Sequence, residues 1–156
     1  MFEHVLLAVD FSMQSIMALK MAAALCEGTS RNLTVLSVGD PSQSLNLEGI
    51  YGTSAYALEE GERSLTESLM NKLEEICLPL KPMNIDYKPM IKIGSPSKLI
   101  VETANEIGAD LIVIGAHSRE GIFDKMIGST TSAVVKKSTC PVLVASPPDL
   151  DVYSNN

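Results

Sequence analysis

A glycine-rich segment in the second half of the chain, residues 115–129, has the composition of a phosphate-binding loop. Gly115, Gly121 and Gly128 stand among small and polar residues, so the backbone can turn sharply there and bring N–H groups close to a ligand. A helix is predicted to begin just after Gly128, with a hydroxyl residue such as Ser129 as its N-cap. The unpaired amides and the positive dipole end of that helix would face the loop, as a phosphate site requires.

A second candidate position for ligand contacts follows the first apolar run. Asp10 comes directly after residues 4–9 and can accept a hydrogen bond from a base or a ribose, while Ala8 and Val38 offer backbone and apolar contacts to a purine. The side chains that could add donors to phosphate are His117, Ser118, Arg119, Ser129 and Thr130. The alternatives stay open at this point: Asp10 could only cap the first helix, and Arg119 could be a solvated loop charge.

Short apolar runs alternate with helical patterns from one end of the chain to the other. The predicted strands span residues 4–9, 33–38, 84–93, 111–114 and 141–145. The predicted helices begin at Ser12, Ala55, Ser95 and Ser129. The last of them is predicted to end at Lys137, with Lys136 and Lys137 at its negative end. This alternation predicts an α/β protein with a parallel sheet in the order 3-2-1-4-5 and helices on both faces. Asp10 and Gly115 would then meet at the crevice between strands one and four.

Length and charge narrow the classes of function. The 156 residues predict one domain over 1–146, a flexible polar tail over 147–156 and a long loop over 42–54. A net charge of −7 argues against nucleic acid or an anionic membrane as a partner. The absence of a secretory start and of a long apolar run predicts a cytoplasmic protein. The odd number of cysteines in apolar segments predicts buried free thiols.

Several common signatures of chemistry are missing from the sequence. It contains no G-x-x-x-x-G-K-[ST], no G-x-G-x-x-G after the first strand, no G-x-S-x-G elbow and no H-E-x-x-H. The glutamates between residues 59 and 75 follow the polar faces of a predicted helix, which is more typical of a solvated surface than of a metal site. These absences disfavour a P-loop NTPase, a dinucleotide-binding protein, a serine hydrolase and a zinc enzyme.

Four stretches together resemble the universal stress protein family over nearly the whole chain. They are VLLAVDFSMQSIMAL, LTVLSVGD, IGSPSKLIVETANEIGADLIVIGAHS and GSTTSAVVKKSTCPVLVAS. The resemblance implies a Rossmann-like fold, of the adenine nucleotide alpha hydrolase type, that is usually a homodimer. Its nucleotide-binding members carry G-x-x-G, nine residues and G-[ST]. Gly115 and Gly128-Ser129 match this pattern, whereas Ser118 stands where the second glycine is expected.

The resemblance also implies a set of ligand contacts. Adenine and ribose would meet Ala8, Val9, Asp10 and Val38, and ribose and phosphates would meet Gly115, Ser118, Gly128, Ser129 and Thr130. His117 and Arg119 lie inside the loop without being fixed by the pattern. Mg²⁺ or Mn²⁺ would arrive with the triphosphate, and the strand over 142–145 would pair across a dimer axis.

These observations lead to the hypothesis of an ATP-binding stress-response protein that acts as a nucleotide-dependent switch for a protein partner. One alternative is slow ATP hydrolysis, for which Asp10 or His117 would have to position water. The other is a stress-protein dimer that binds no nucleotide, and Ser118 in a glycine position is the main support for it.

Overall fold

The computed structural model describes residues 2–41, 55–116 and 127–146. Its strands are β1 (His4–Val9), β2 (Asn32–Gly39), β3 (Tyr87–Ile93), β4 (Leu111–Gly115) and β5 (Val142–Ala145). Its helices are α1 (Met13–Cys26), α2 (Ala55–Cys77), α3 (Pro96–Ile107) and α4 (Ser129–Lys137), with a 3-10 turn at Leu78–Leu80. The predicted loop over 42–54, the tail over 147–156 and positions 117–126 of the glycine-rich segment lie outside the described residues.

The five strands form one parallel sheet in the order β3-β2-β1-β4-β5, which confirms the predicted fold class and strand order. β1 is central: Ala8 is level with Leu36 of β2 on one side and with Ile114 of β4 on the other. Because all strands run the same way, their carboxyl ends lie at one edge of the sheet. The order changes direction between β1 and β4, where a crevice for a ligand forms in this fold class.

Helices cover both faces of the sheet, as the uninterrupted apolar strands predicted. On one face, Leu7 of β1 belongs to the same buried cluster as Ala18 of α1 and Leu73 of α2. On the other face, the cluster around Leu6 contains residues of α3 and α4, including Val134. No helix in the described ranges is long and apolar enough to cross a membrane.

Three details of the sequence interpretation were wrong. β3 begins at Tyr87 and not at residue 84, because Asn84 has a φ of 53° and its N–H donates to Lys81 O at 3.0 Å in a turn. β5 begins one residue after Pro141. Cys140 is half-buried, whereas Cys26 and Cys77 are buried as predicted. Burial raises the pKa of the Cys77 thiol to about 11, so this thiol is unreactive at neutral pH.

A carboxylate joins β1 to β4 at the amino edge of the sheet. Asp110 accepts hydrogen bonds from the backbone N–H of Glu3 at 2.8 Å and of His4 at 3.1 Å, and its own N–H donates to His4 O at 3.0 Å. The bond from Glu3, aided by that from His4, lowers the pKa of Asp110 against the opposing effect of partial burial. The ionised side chain therefore stabilises the start of both central strands.

We expect Asp110→Asn to destabilise the protein by about 1 kcal/mol at pH 7, because the amide loses one of two charge-assisted bonds. The pKa of Asp110 is lower in the folded state than in the unfolded state. The carboxylate therefore stabilises the folded protein fully above the unfolded-state pKa of about 3.9. This contribution disappears as the pH falls through the folded-state pKa. The difference in unfolding free energy between the two proteins should shrink below about pH 4. Urea denaturation from pH 3 to 8 measures it, and a difference independent of pH would contradict this role.

Candidate functional site

The helix that follows β1 has a side-chain cap at its amino end. Ser12 is the N-cap of α1 and its Oγ accepts from the N–H of Ser15 at 3.2 Å, while the Ser12 N–H donates to Asp10 Oδ1 at 3.0 Å. The Ser15 hydroxyl returns a bond to Ser12 O at 2.9 Å. Asp10 therefore shapes the turn before the cap and is exposed at the carboxyl edge of the sheet. Phe11 between them has a φ of 65°, a conformation that costs a bulky residue free energy and is frequent near functional sites.

The amino end of α4 is built differently. Its N-cap is Gly128, which has no side chain to accept a hydrogen bond, so the prediction of a hydroxyl N-cap was wrong and Ser129 is the first helical residue. The first backbone bond of the helix runs from Ser132 N to Gly128 O at 2.9 Å. The N–H groups of residues 129–131 precede this bond and have no acceptor within the helix. Lys136 and Lys137 lie in the last turn, as predicted, where they complement the dipole.

Gly115, the last residue of β4, lies between these two helix ends. A Cβ at this position would be 2.5 Å from the carbonyl carbon of Gln14 and 2.7 Å from the nitrogen of Ser15, both in the first turn of α1. On the other side, the buried Thr131 hydroxyl donates to Gly115 O at 2.9 Å. Gly115 is therefore required for the close approach of α1, and its carbonyl is the attachment point for α4.

The structure gives Gly115 a different role from the one that its residue type predicted. The sequence predicted a sharp turn with bare amides, but Gly115 is a regular strand residue, and the N–H of Ala116 donates to Ala145 O at 2.7 Å. The amides of residues 129–131 at the start of α4 have neither an intrahelical acceptor nor a side-chain cap at Gly128.

The remaining predicted contacts divide between the two faces of the sheet. Ala8 and Val38 pack with Ile114 and Val134 on the face covered by α3 and α4, whereas the Val9 side chain packs on the face of α1. Val9 could thus offer only its backbone to a ligand that contacts Ala8. Predicted contacts that lie outside the described residues are His117, Ser118 and Arg119.

Sequence reasoning missed Thr131 as a residue of this site. The signal was present, because a threonine at the third position of a helix that follows glycine can turn its hydroxyl to a neighbouring strand. Its partner could not be identified, since Gly115 is 16 positions away.

The described residues also outline a second hollow, of about 410 Å³, at the opposite edge of the sheet between His4, Thr34 and Lys88. It lies at the amino ends of the strands, whereas ligands in this fold class bind beyond the carboxyl ends. No group of three His, Cys, Asp or Glu side chains within the described ranges is arranged to hold a metal ion. The start of α4 is therefore the better candidate site.

The parallel 3-2-1-4-5 sheet and the open helix end at its central junction define a Rossmann-like α/β protein with a candidate anion site. The model of the universal stress protein family matches residues 1–146, and the chain belongs to that family. The chain is 31% identical over 153 residues to universal stress protein MJ0577 of Methanocaldococcus jannaschii, covering 92% of this chain and 94% of that one. It is 29% identical over 146 residues to universal stress protein YxiE of Bacillus subtilis, covering 92% and 99%.

Solved structures of family members share the fold. A structure of MJ0577 superposes with a TM-score of 0.79 over 94% of this chain and 97% of that one. A universal stress protein in complex with cAMP gives 0.64 at 19% identity, over 93% and 97% of the two chains. The Archaeoglobus fulgidus protein in complex with dAMP gives 0.56 at 20% identity, over 92% and 97%.

We expect Gly115→Ala to destabilise the protein by about 1–3 kcal/mol, because the new methyl group would overlap backbone atoms of Gln14 and Ser15 that cannot rotate away. Gly61→Ala is the matched control, since a Cβ there meets nothing within 4 Å on an exposed part of α2 and should stabilise by about 0.5–1 kcal/mol. Chemical denaturation measures both. Equal effects of the two substitutions would contradict the close packing of α1 on β4.

Proposed function

We propose that this universal stress protein binds an adenine nucleotide, ATP in the first instance, at the crevice between β1 and β4. The observation that supports the proposal is the contrast between the two helix ends at this crevice. At α1 the N-cap Ser12 accepts from the N–H of Ser15, and Asp10 accepts from the N–H of Ser12, whereas α4 begins at a glycine without a side-chain cap. An anion at the start of α4 would satisfy those amides and interact favourably with the helix dipole.

The base and ribose would lie beside the end of β1. Ala8 and Val38 provide an apolar surface on the face that α4 also covers, and the exposed Asp10 carboxylate can accept from a ribose hydroxyl or a base amino group. The phosphates would extend to Gly128, Ser129 and Thr130, with Ser118 and its neighbours His117 and Arg119 as further candidates from the sequence. Mg²⁺ or Mn²⁺ would be carried by the triphosphate, because phosphate oxygens and waters supply most ligands of such ions.

Family members with the same fold have been solved with nucleotides bound. Two family members were solved as complexes with cAMP and with dAMP, both of which are adenine nucleotides. At 19% and 20% identity these two proteins share the fold with this chain. We further propose that the protein acts in the cytoplasm as a nucleotide-dependent switch for a protein partner in the stress response.

The competing function is a universal stress protein dimer that binds no nucleotide. Two observations favour it: Ser118 stands at a glycine position of the nucleotide-binding pattern, and Gly115 is required by the packing of α1 whether or not a ligand binds. Calorimetric titration with MgATP separates the two functions. If ATP binds but protects the protein from protease no better than buffer alone, the protein binds a nucleotide without acting as a nucleotide-dependent switch.

We expect the wild-type protein to bind MgATP and Ser129→Asp to bind it at least tenfold more weakly. A carboxylate about 4 Å from a phosphate costs more than the 1.4 kcal/mol that corresponds to a factor of ten. The same substitution places a negative charge at the positive end of the α4 dipole, so the melting temperature should be unchanged or higher. Isothermal titration calorimetry and thermal melts of the same samples measure the two effects.

Ser64→Asp is the matched control, because it adds the same charge on the exposed surface of α2. It should leave the dissociation constant for MgATP within about twofold of the wild-type value, since α2 packs on the opposite face of the sheet from α4 and an exposed charge there is screened by salt. Equal weakening by Ser129→Asp and Ser64→Asp would contradict a phosphate site at α4.

We also propose a homodimer formed through β5. β5 is a terminal strand of the sheet, and the carbonyls of Pro141 and Ala145 accept from Ile112 of β4 and from Ala116 just after it. Because backbone groups alternate in direction along a strand, those of Val142 and Val144 face away from β4. An edge strand with such groups can pair with a second copy of the chain.

Val144→Pro should convert a dimer of the 16.8 kDa chain to a monomer, because it removes one outward N–H without removing a bond to β4. Val144→Thr keeps the N–H and nearly the same shape, so it should remain dimeric. Light scattering coupled to size exclusion gives the masses. A dimer that survives Val144→Pro with unchanged affinity would mean that the interface lies elsewhere.

A further inference from the structure

Thr131 has properties that separate it from the predicted ligand contacts on α4. Its side chain is 1% exposed, whereas Ser129 two positions earlier is exposed. Its hydroxyl hydrogen is committed to Gly115 O at 2.9 Å in a buried hydrogen bond. Thr131 therefore cannot donate the same proton to a ligand, and any effect on binding must pass through the position of α4.

The carbonyl that Thr131 holds is itself fixed from the opposite side. The first turn of α1 leaves no room for a Cβ at Gly115, with Gln14 O and Ser15 N both 2.7 Å from that point. The same turn of α1 is tied back to Ser12 and Asp10 by hydrogen bonds. Gly115 thus links the turn that carries Asp10 to the first turn of α4.

The apolar contacts of α4 do not provide this link by themselves. Val134, one turn later, is fully buried in the cluster that contains Ile114 and Ala8. Dispersion contacts of this kind determine which face of α4 meets the sheet, but they carry no preferred direction of their own. A hydrogen bond is directional and short, so the Thr131 bond sets how far the start of α4 extends along the crevice.

From these contacts we infer that Thr131 is a positioning residue that sets the distance between the phosphate half and the base half of the proposed nucleotide site. This inference rests on the proposed function. The electrostatic effect of a helix dipole is confined to the first turn, and functional sites require groups to be placed to within about 0.5 Å. A shift of α4 would therefore weaken the contacts to the phosphates and leave the contacts to the base in place.

The test compares Thr131→Val, which replaces the hydroxyl by a methyl group of similar shape, with Thr131→Ser, which keeps the hydroxyl. Dissociation constants for MgATP and for adenosine are measured by calorimetry with both variants and the wild type. For Thr131→Val we expect the constant for MgATP to rise about tenfold and that for adenosine to change less than about twofold. Thr131→Ser should remain within about twofold of the wild type for both ligands.

A merely structural role of Thr131 would give a different pattern in the dissociation constants of the two ligands. If α4 loosened the whole domain, binding of MgATP and adenosine would weaken by the same factor, and that result overturns the inference. Unchanged binding of MgATP by Thr131→Val overturns it as well, while the proposed function stands. A wild-type protein that binds no MgATP overturns both. If Thr131→Val does not fold, Thr131→Cys, whose thiol is a much weaker donor, takes its place under the same criteria.

Discussion

The close contact of α1 with the end of β4 is the constraint on which the arrangement of the crevice depends. It requires a residue without a side chain at position 115, because the backbone of α1 occupies the space that a Cβ would need. The same residue offers its carbonyl to the buried hydroxyl of Thr131 on α4. One glycine thereby contacts helices from opposite faces of the sheet, so a shift of either helix along the central strands would disturb a contact of Gly115.

The two helices that meet Gly115 have different electrostatic ends. At α1, the Ser12 hydroxyl accepts from the N–H of Ser15 and the Asp10 carboxylate accepts from the N–H of Ser12, so a side-chain cap and a negative charge already lie at the positive end of that dipole. At α4, the N-cap glycine leaves the early amides without an intrahelical acceptor. An anion at the crevice would therefore be oriented toward α4, with Asp10 on the other side discouraging phosphate near β1.

Much of the fold could be predicted from local patterns, because buried parallel strands are short apolar runs and helix ends carry recognisable residues. The bounds of α4 were predicted as observed, and Gly108 ends α3 with a φ of 64° as its type suggests. The misassigned start of β3 arose because Ile85 is buried although it precedes the strand, so its apolar type continued the strand pattern through a turn. The roles of Gly115 and Thr131 depend on which helix covers which strand end, and no local pattern carries that information.

The charge distribution explains why position matters so much at this crevice. The chain has a net charge of −7, and the predicted contacts that the structure describes include the carboxylate of Asp10 and no cationic side chain. A long-range attraction of a nucleotide to the protein is therefore weak, and the described part of the site offers its phosphates only dipoles. The field of a dipole decreases faster with distance than that of a charge, so a small displacement of the helix end removes most of its effect. In the proposed site, the hydrogen bond that holds this end against the sheet would keep the dipole directed at the phosphates.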